Sequence, residues 1–216
     1  MRVGDVVALL VAAGAVACGL MDAPLWAQAS GRILAGLLLL LVAAAGSPGP
    51  YRRFVLLGLL IGTVGDTLFV LPYDVFLPGV ACFLVGHVLY IAAFSQGVGF
   101  SGAAIARLVY ATLGVAMVAA LWPVLDPLYR AAVSVYSVAI ILMAGQAAGR
   151  WGKLKTAAAR SAGLGGAVFF LSDGMLALDR FRAHFPAARL GVMATYYLAQ
   201  WLIARSTDEA RGESPA

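Results

Sequence analysis

The chain has 216 residues, of which 62% are hydrophobic and only 12% are charged. Soluble domains are typically about 45–50% apolar and about 25% charged, so the composition excludes a soluble globular enzyme and a disordered segment. The net charge of +5 does not indicate a nucleic-acid partner, because the basic residues lie between apolar stretches and form no basic stripe interleaved with aromatic residues. The composition therefore predicts an integral membrane protein of the all-α class.

Eight apolar stretches follow one another along the chain, each close to the roughly 20 residues that a helix needs to cross a bilayer. They cover residues 4–21, 28–46, 53–71, 76–95, 104–122, 128–147, 162–178 and 187–204, and proline or glycine marks several of the connectors between them. We therefore expect one domain over residues 1–205, an eight-helix transmembrane bundle, followed by a short polar cytoplasmic tail at residues 206–216.

The distribution of Lys and Arg predicts the orientation of the bundle. Ten of these residues lie at the termini and in the even-numbered connectors, against five on the opposite side. The positive-inside rule places the more basic side in the cytoplasm. We expect both termini to be cytoplasmic, in what would be a bacterial inner membrane.

Two aspartates lie inside the apolar stretches, Asp66 in the third and Asp173 in the seventh. An aspartate at the centre of a membrane helix costs about 2.5–3.5 kcal/mol on insertion scales, so such residues are usually functional. Each lies five residues before the outer end of its predicted stretch, which places both carboxyls roughly 7–8 Å below the outer boundary at about 1.5 Å per residue. The spacing predicts that they share one zone in the outer half of the membrane.

Other polar side chains reach the same zone from helices that run in the opposite direction. His87 and Tyr90 fall on one helical stripe with Phe83 and Phe94, and a second stripe holds Met193, Tyr196 and Gln200. The predicted substrate-binding residues are His87, Tyr90, Tyr136, Tyr196, Tyr197 and Gln200. Three alternatives stay open: the aspartates are structural and held by hydroxyls and amides, His87 is a packing residue, or the tyrosines and Gln200 belong to the core packing.

The residue types restrict the chemistry. The chain has two histidines, which excludes a zinc hydrolase that needs three of them, and we expect neither a metal nor a cofactor. A carboxyl pair suits acid-catalysed cleavage through an oxocarbenium-like state, in which one carboxyl donates a proton and the other stabilises the cation or activates water. Asp173, beside Phe169 and Phe170, is the better candidate for the acid. The alternative is a proton-coupled transporter or lipid translocator that uses the same aspartates.

Five runs of sequence then identify a family resemblance: G-D-T-L-F, F-L-V-G-H-V-L-Y-I-A-A-F, A-V-S-V-Y-S-V-A-I-I-L-M, F-F-L-S-D-G-M-L-A-L and M-A-T-Y-Y-L-A-Q-W-L-I-A. Over about residues 30–205 the chain resembles the YhhN/lysoplasmalogenase family of eight-helix membrane proteins. The resemblance implies hydrolysis of the vinyl-ether bond of lysoplasmalogens, which releases a fatty aldehyde and glycerophosphoethanolamine or glycerophosphocholine. It also implies that Asp66 and Asp173 are the catalytic carboxyls, and that the expected partner is a single-chain ether phospholipid in the bilayer.

Overall fold

The computed structural model describes residues 2–100, 104–182, 184 and 187–208. Within these residues the chain forms eight α-helices and two short 3-10 helices, and no β-strand, which confirms the predicted all-α fold. The helices are α1 (Val3–Leu20), α2 (Leu25–Ala44), α3 (Pro50–Leu68), α4 (Phe76–Ser95), α5 (Ala104–Leu121), α6 (Pro127–Leu154), α7 (Ala157–Phe181) and α8 (Ala188–Arg205).

Six of these helices are long and apolar enough to cross a membrane: α1, α2, α4, α5 with its 3-10 extension, α6 and α7. Among the described residues, α3 and α8 fall outside this group. Each of them carries two arginines, Arg52 and Arg53 in α3 and Arg189 and Arg205 in α8. The protein is therefore a helical integral membrane protein, and the count of eight spans stays a prediction for α3 and α8.

Most helices that follow each other in sequence pack side by side, but α4 packs against α6 rather than α5, and α8 returns to contact α1 and α2. Ion pairs mark the two ends of the bundle. Arg189 pairs with Asp22 at the end where α1, α3, α5 and α7 finish, which we call the site end. Arg205 pairs with Asp5 at the opposite, terminal end.

Glycines let several helices approach closely. A Cβ atom on Gly58 of α3 would lie 2.4 Å from the ring of Tyr90 on α4, and one on Gly36 of α2 would lie 2.2 Å from Oγ1 of Thr63 on α3. Small residues at interfaces are the usual means by which membrane helices gain close contact. The packing fixes α3, which carries Asp66, between α2 and α4.

Two helices extend more than three residues beyond their predicted bounds. The sixth was predicted to end near residue 147 and continues to Leu154, because Arg150 and Lys153 donate hydrogen bonds to carbonyls that follow the end of α4. The seventh begins at Ala157 rather than near 162, with the Thr156 side chain capping its first turn. Charged residues that suggested a connector are therefore helical and bind a neighbouring helix end.

The polar tail predicted from residue 206 is structured at its start. Ser206–Asp208 form a 3-10 helix in which Thr207 is buried and donates a hydrogen bond to the Ala43 carbonyl oxygen. Asp208 also pairs with Arg2, at 3.1 Å. Residues 209–216 of the predicted tail lie outside the described residues.

Candidate active site between two cavities

Two cavities meet inside the site end of the bundle. The apolar cavity lies among α4, α5, α6 and α7, and the polar cavity lies among α2, α3, α7 and α8, with the start of α4 at its edge. The two cavities share Phe76, Phe83, Asp173 and Leu176. Asp173 is therefore the one carboxyl among the described residues that faces both.

The apolar cavity is walled almost entirely by hydrocarbon and aromatic side chains. Its lining is Phe76, Leu77, Val80, Phe83, Gly114, Met117, Leu121, Tyr129, Ala132, Val133, Tyr136, Ser137, Ile140, Phe170, Asp173, Gly174, Leu176, Ala177 and Phe181. Such a surface suits a hydrocarbon chain, and Asp173 is its only carboxylate among these residues.

The polar cavity carries charges of both signs. Its charged and polar lining consists of Arg32, Asp66, Tyr73, Asp74, Ser172, Asp173, Asp179, Arg180, His184, Arg189 and Tyr196. Arg180 approaches Asp74 at 3.7 Å, and His184 Nδ1 approaches Asp179 Oδ1 at 2.8 Å. His184 is exposed and lies at the mouth of this cavity. A mixed set of cations and carboxylates fits a zwitterionic ligand.

Asp173 on α7 is bound by a tyrosine and approached by a histidine. The Tyr136 hydroxyl donates a hydrogen bond to Asp173 Oδ2 at 2.5 Å, and His87 Nε2 lies 3.7 Å from the same oxygen. The Asp173 side chain is 13% exposed, and no Lys or Arg pairs with it in the described part of the chain. This carboxyl therefore lacks the cationic partner that a buried carboxylate usually has.

His87 on α4 lies behind Asp173. It is 1% exposed and packs between the rings of Tyr136 and Phe169, with ring centroids 5.1 Å and 4.9 Å away. Neither ring nitrogen has a hydrogen-bond partner among the described residues, and His87 lines neither cavity. Buried polar groups without partners are rare and call for an explanation; the Asp173 carboxyl is the polar group that the imidazole faces.

Asp66 on α3 is held quite differently, by a buried ion pair. Arg32 Nη1 on α2 donates to Asp66 Oδ1 and, at 3.0 Å, to the Asp66 backbone oxygen. The Tyr197 hydroxyl on α8 donates to Asp66 Oδ2 at 2.8 Å. Both carboxylate oxygens are thus satisfied by donors, which stabilises the ionised form. The remaining Arg32 nitrogens make no hydrogen bond to oxygen in the described structure: Nη2 lies 3.8 Å from Met193 Sδ.

The other predicted residues form a network that ties three helices together. Tyr90 donates to Gln200 Oε1 at 2.7 Å, Gln200 Nε2 donates to the Tyr196 hydroxyl at 3.1 Å, and that hydroxyl donates to the Gly62 carbonyl oxygen at 3.2 Å. Tyr196 lines the polar cavity, whereas Tyr90 and Gln200 line neither cavity. Tyr90 and Gln200 therefore position α3 and α8.

The eight predicted site residues fall into these three groups: Asp173 with His87 and Tyr136, Asp66 with Tyr197, and the network of Tyr90, Tyr196 and Gln200. The two carboxyls were predicted to lie at equal distances from the ends of their helices, and they do not. Asp66 lies two residues before the end of α3 and Asp173 eight residues before the end of α7, because α3 ends early and α7 continues. Both still line the polar cavity.

Arg32 is a site residue that the predicted set omitted. Its signal in the sequence was a guanidinium inside the second apolar stretch, a position that is also compatible with a snorkelling side chain. The charges at the mouth of the polar cavity, Asp74, Asp179, Arg180 and Arg189, were also omitted, because they lie in or next to connectors. In the described residues no group of three or more His, Cys, Asp or Glu side chains could hold a metal ion.

Fold and site together define a helical membrane protein with two carboxyls inside the bundle, one of them at the junction of an apolar and a polar cavity. The chain belongs to the YhhN family, whose model matches residues 27–207.

Named relatives agree with this assignment. The chain is 34% identical to lysoplasmalogenase TMEM86B from Sus scrofa, over 88% of this chain and 79% of that protein. It is 37% identical to lysoplasmalogenase TMEM86A from Bos taurus, over 76% of this chain and 68% of that protein. It is 30% identical to the uncharacterized membrane protein YhhN from Escherichia coli O157:H7, over 79% of this chain and 82% of that protein. No solved structure matches the chain.

Proposed function

We propose that this protein is a membrane-embedded hydrolase that cleaves the vinyl-ether bond of lysoplasmalogens to a fatty aldehyde and glycerophosphoethanolamine or glycerophosphocholine. Relatives named lysoplasmalogenase, 34% and 37% identical to this chain, support the reaction. The observation that carries the proposal is the position of Asp173, which faces both the apolar and the polar cavity. In a lysoplasmalogen the vinyl ether is likewise the junction between the hydrocarbon chain and the polar glycerophosphate.

The substrate is a single-chain ether phospholipid that enters from the bilayer. Its chain occupies the apolar cavity, and its glycerophosphate lies in the polar cavity. Arg32, Arg180 and Arg189 supply the cations for the phosphate, and Asp74 and Asp179 supply carboxylates for the ammonium group of the head. The vinyl ether then lies beside Asp173.

Asp173 is the general acid in this mechanism. Tyr136 occupies Oδ2, and Oδ1 has no hydrogen-bond partner among the described residues, so a proton on Oδ1 faces the cavity. The C=C electron pair takes this proton at the vinyl carbon farther from the ether oxygen, which leaves an oxocarbenium ion at the other carbon. The Tyr136 hydrogen bond and the nearby His87 stabilise the Asp173 carboxylate that results.

Asp66 contributes a fixed negative charge. Arg32 and Tyr197 hold it as a carboxylate at the wall of the polar cavity, where it stabilises the developing cation. Water adds to the oxocarbenium carbon and gives a proton back to Asp173. The hemiacetal then collapses to the aldehyde and the glycerol hydroxyl, so that one water is consumed and the acid is restored.

The proposal includes the orientation of the helical bundle in the membrane. The excess of basic residues at the terminal end favours both termini in the cytoplasm of a bacterium, with the site end at the outer face of the inner membrane. The Escherichia coli relative, which is named a membrane protein, is consistent with a bacterial membrane.

The test measures aldehyde release by purified protein in detergent, without any ion gradient, from the ethanolamine and choline forms of a lysoplasmalogen. Asp173→Asn and Asp66→Asn are compared with Asp22→Asn, whose side chain is 82% exposed. Loss of general-acid catalysis costs about 10²- to 10⁴-fold, so we expect that loss for Asp173→Asn and wild-type turnover for Asp22→Asn. A wild type that releases no aldehyde but takes up lipid into vesicles in response to a proton gradient would instead establish the transporter alternative.

A further inference from the structure

The apolar cavity borders the seam between α5 and α7. Helix α5 contributes Gly114, Met117 and Leu121 to the cavity wall. Within Ala104–Leu121 the buried residues are Gly114 and Leu121 alone, so α5 lies at the edge of the bundle with most of its surface available to lipid. Helix α5 is thus a peripheral wall of the cavity.

The seam is closed at two levels. At the site end, Arg182 Nη1 donates a hydrogen bond to the Ala120 carbonyl oxygen at 2.9 Å. Deeper in the membrane, the rings of Tyr110 and Phe170 pack with centroids 5.1 Å apart. Ten residues of α5 separate these contacts, which corresponds to roughly 15 Å of helix.

Met117 lies between these two contacts and opposite Gly174 of α7. A Cβ atom on Gly174 would lie 3.5 Å from Met117 Cε, an ordinary contact with the end of a flexible side chain. A Cβ atom on Gly163, Gly165 or Gly166 of α7 would lie only 2.8–2.9 Å from the nearest side-chain atom of another residue. Helix packing therefore requires those three glycines but not Gly174, where glycine is also less favourable than alanine for the helix.

Glycine at position 174 leaves room for about one methyl group beside Met117 Cε, directly next to Asp173 in the sequence and on the same cavity wall. The wall opposite that space is a thioether, which is flexible and changes rotamer easily. We propose that the contact between Met117 and Gly174, the chain window, opens when the methionine side chain changes rotamer and lets the substrate's alkenyl chain pass between the bilayer and Asp173. This inference rests on the proposed function and names the route of its substrate.

The occupant is a long unbranched hydrocarbon chain. The cavity behind the window is apolar, the window itself is formed by a methionine and a glycine, and the charged lining belongs to the polar cavity. A substrate whose chain is too short to reach the bilayer does not need the opening, because it reaches Asp173 through the polar cavity.

The experiment compares two substrates that share the glycerophosphoethanolamine group: a long-chain lysoplasmalogen in mixed micelles and a water-soluble 1-propenyl ether. Gly174→Leu and, as a second variant, Met117→Trp fill the window. We expect each to lower the ratio of long-chain to short-chain kcat/KM by about tenfold or more, as for a blocked hydrophobic pocket. Val115→Trp, at a 65% exposed position of α5 outside the cavity wall, should leave this ratio unchanged. An equal loss of kcat/KM for both substrates, or no loss for the long-chain substrate, would refute the proposed role of the chain window.

Photolabelling tests the chain window without a measurement of hydrolysis. A lysophosphatidylethanolamine with a diazirine in the middle of its chain is bound to the wild-type protein, irradiated and mapped by mass spectrometry. Labels at Met117 and in the Phe170–Gly174 segment support the window, and labels confined to other helices exclude it. If the wild type hydrolyses neither substrate, the proposed function fails, while the labelling pattern still decides whether a chain occupies this opening.

Discussion

Removing either member of the buried Arg32–Asp66 pair is expected to destabilise the protein strongly. The two side chains are 10% and 9% exposed, and Arg32 donates to both the carboxylate and the backbone oxygen of Asp66. Leaving one charge of a buried pair without its partner costs about 3–5 kcal/mol. A chain of this size loses about 2–4 °C in Tm per kcal/mol, so we expect Arg32→Met and Asp66→Leu each to melt roughly 6–20 °C below the wild type.

The double variant Arg32→Met with Asp66→Leu removes both charges and should recover most of this loss. It leaves the Tyr197 hydroxyl without its acceptor, which costs about 1 kcal/mol. Thermal melts in detergent measure all three proteins beside Asp22→Asn, which breaks an exposed pair and should shift stability by about 1 kcal/mol or less. Losses in the two single variants that simply add in the double variant would refute the coupling between Arg32 and Asp66.

Three further predictions concern Asp173 and the packing of α3. Tyr136→Phe keeps its ring beside His87 but removes the donor to Asp173, so steady-state kinetics should show kcat about 10- to 100-fold lower; an unchanged kcat would contradict the role of this bond. His87→Phe replaces two unpartnered nitrogens by carbon, so Tm should hold or rise while kcat falls; a lower Tm with full activity would make His87 purely structural. Gly58→Ala should cost about 1–3 kcal/mol, since its Cβ would lie 2.4 Å from the Tyr90 ring. Gly86→Ala, with its nearest neighbour 3.6 Å away, should be tolerated, and equal melting temperatures for the two would refute this packing argument.

The sequence was informative about the fold because each helix carries its own signal. Apolar stretches of about 20 residues and the prolines between them placed all eight helices within a few residues, except where charged side chains continue a helix. Arg150 and Lys153 suggested a connector after α6, but they reach carbonyls that follow the end of α4 and so prolong the helix. Such an extension depends on a neighbour in space, which a local pattern does not contain.

The sequence indicated that Asp66 and Asp173 lie in one region, but it indicated neither the partner of each carboxyl nor the position of Arg32 beside Asp66. The cost of an aspartate in the membrane singled out Asp66 and Asp173, and helical spacing placed polar residues at a similar level. Which partner each carboxyl takes depends on how the helices are rotated against each other. The structure pairs Asp66 with Arg32 and leaves Asp173 without a cation among the described residues. The same rotation turns Tyr90 and Gln200 away from both cavities.

Proton delivery by Asp173 to the vinyl carbon is the central claim, and hydrolysis of a lysoplasmalogen in D₂O tests it most directly. The mass spectrum of the released aldehyde should show one deuterium on the carbon next to the carbonyl group for the wild type. Asp173→Asn, shown to be folded by its melting curve, should release aldehyde at least about 100-fold more slowly than the wild type. Aldehyde without that deuterium, or an Asp173→Asn protein that works at the wild-type rate, would contradict the mechanism.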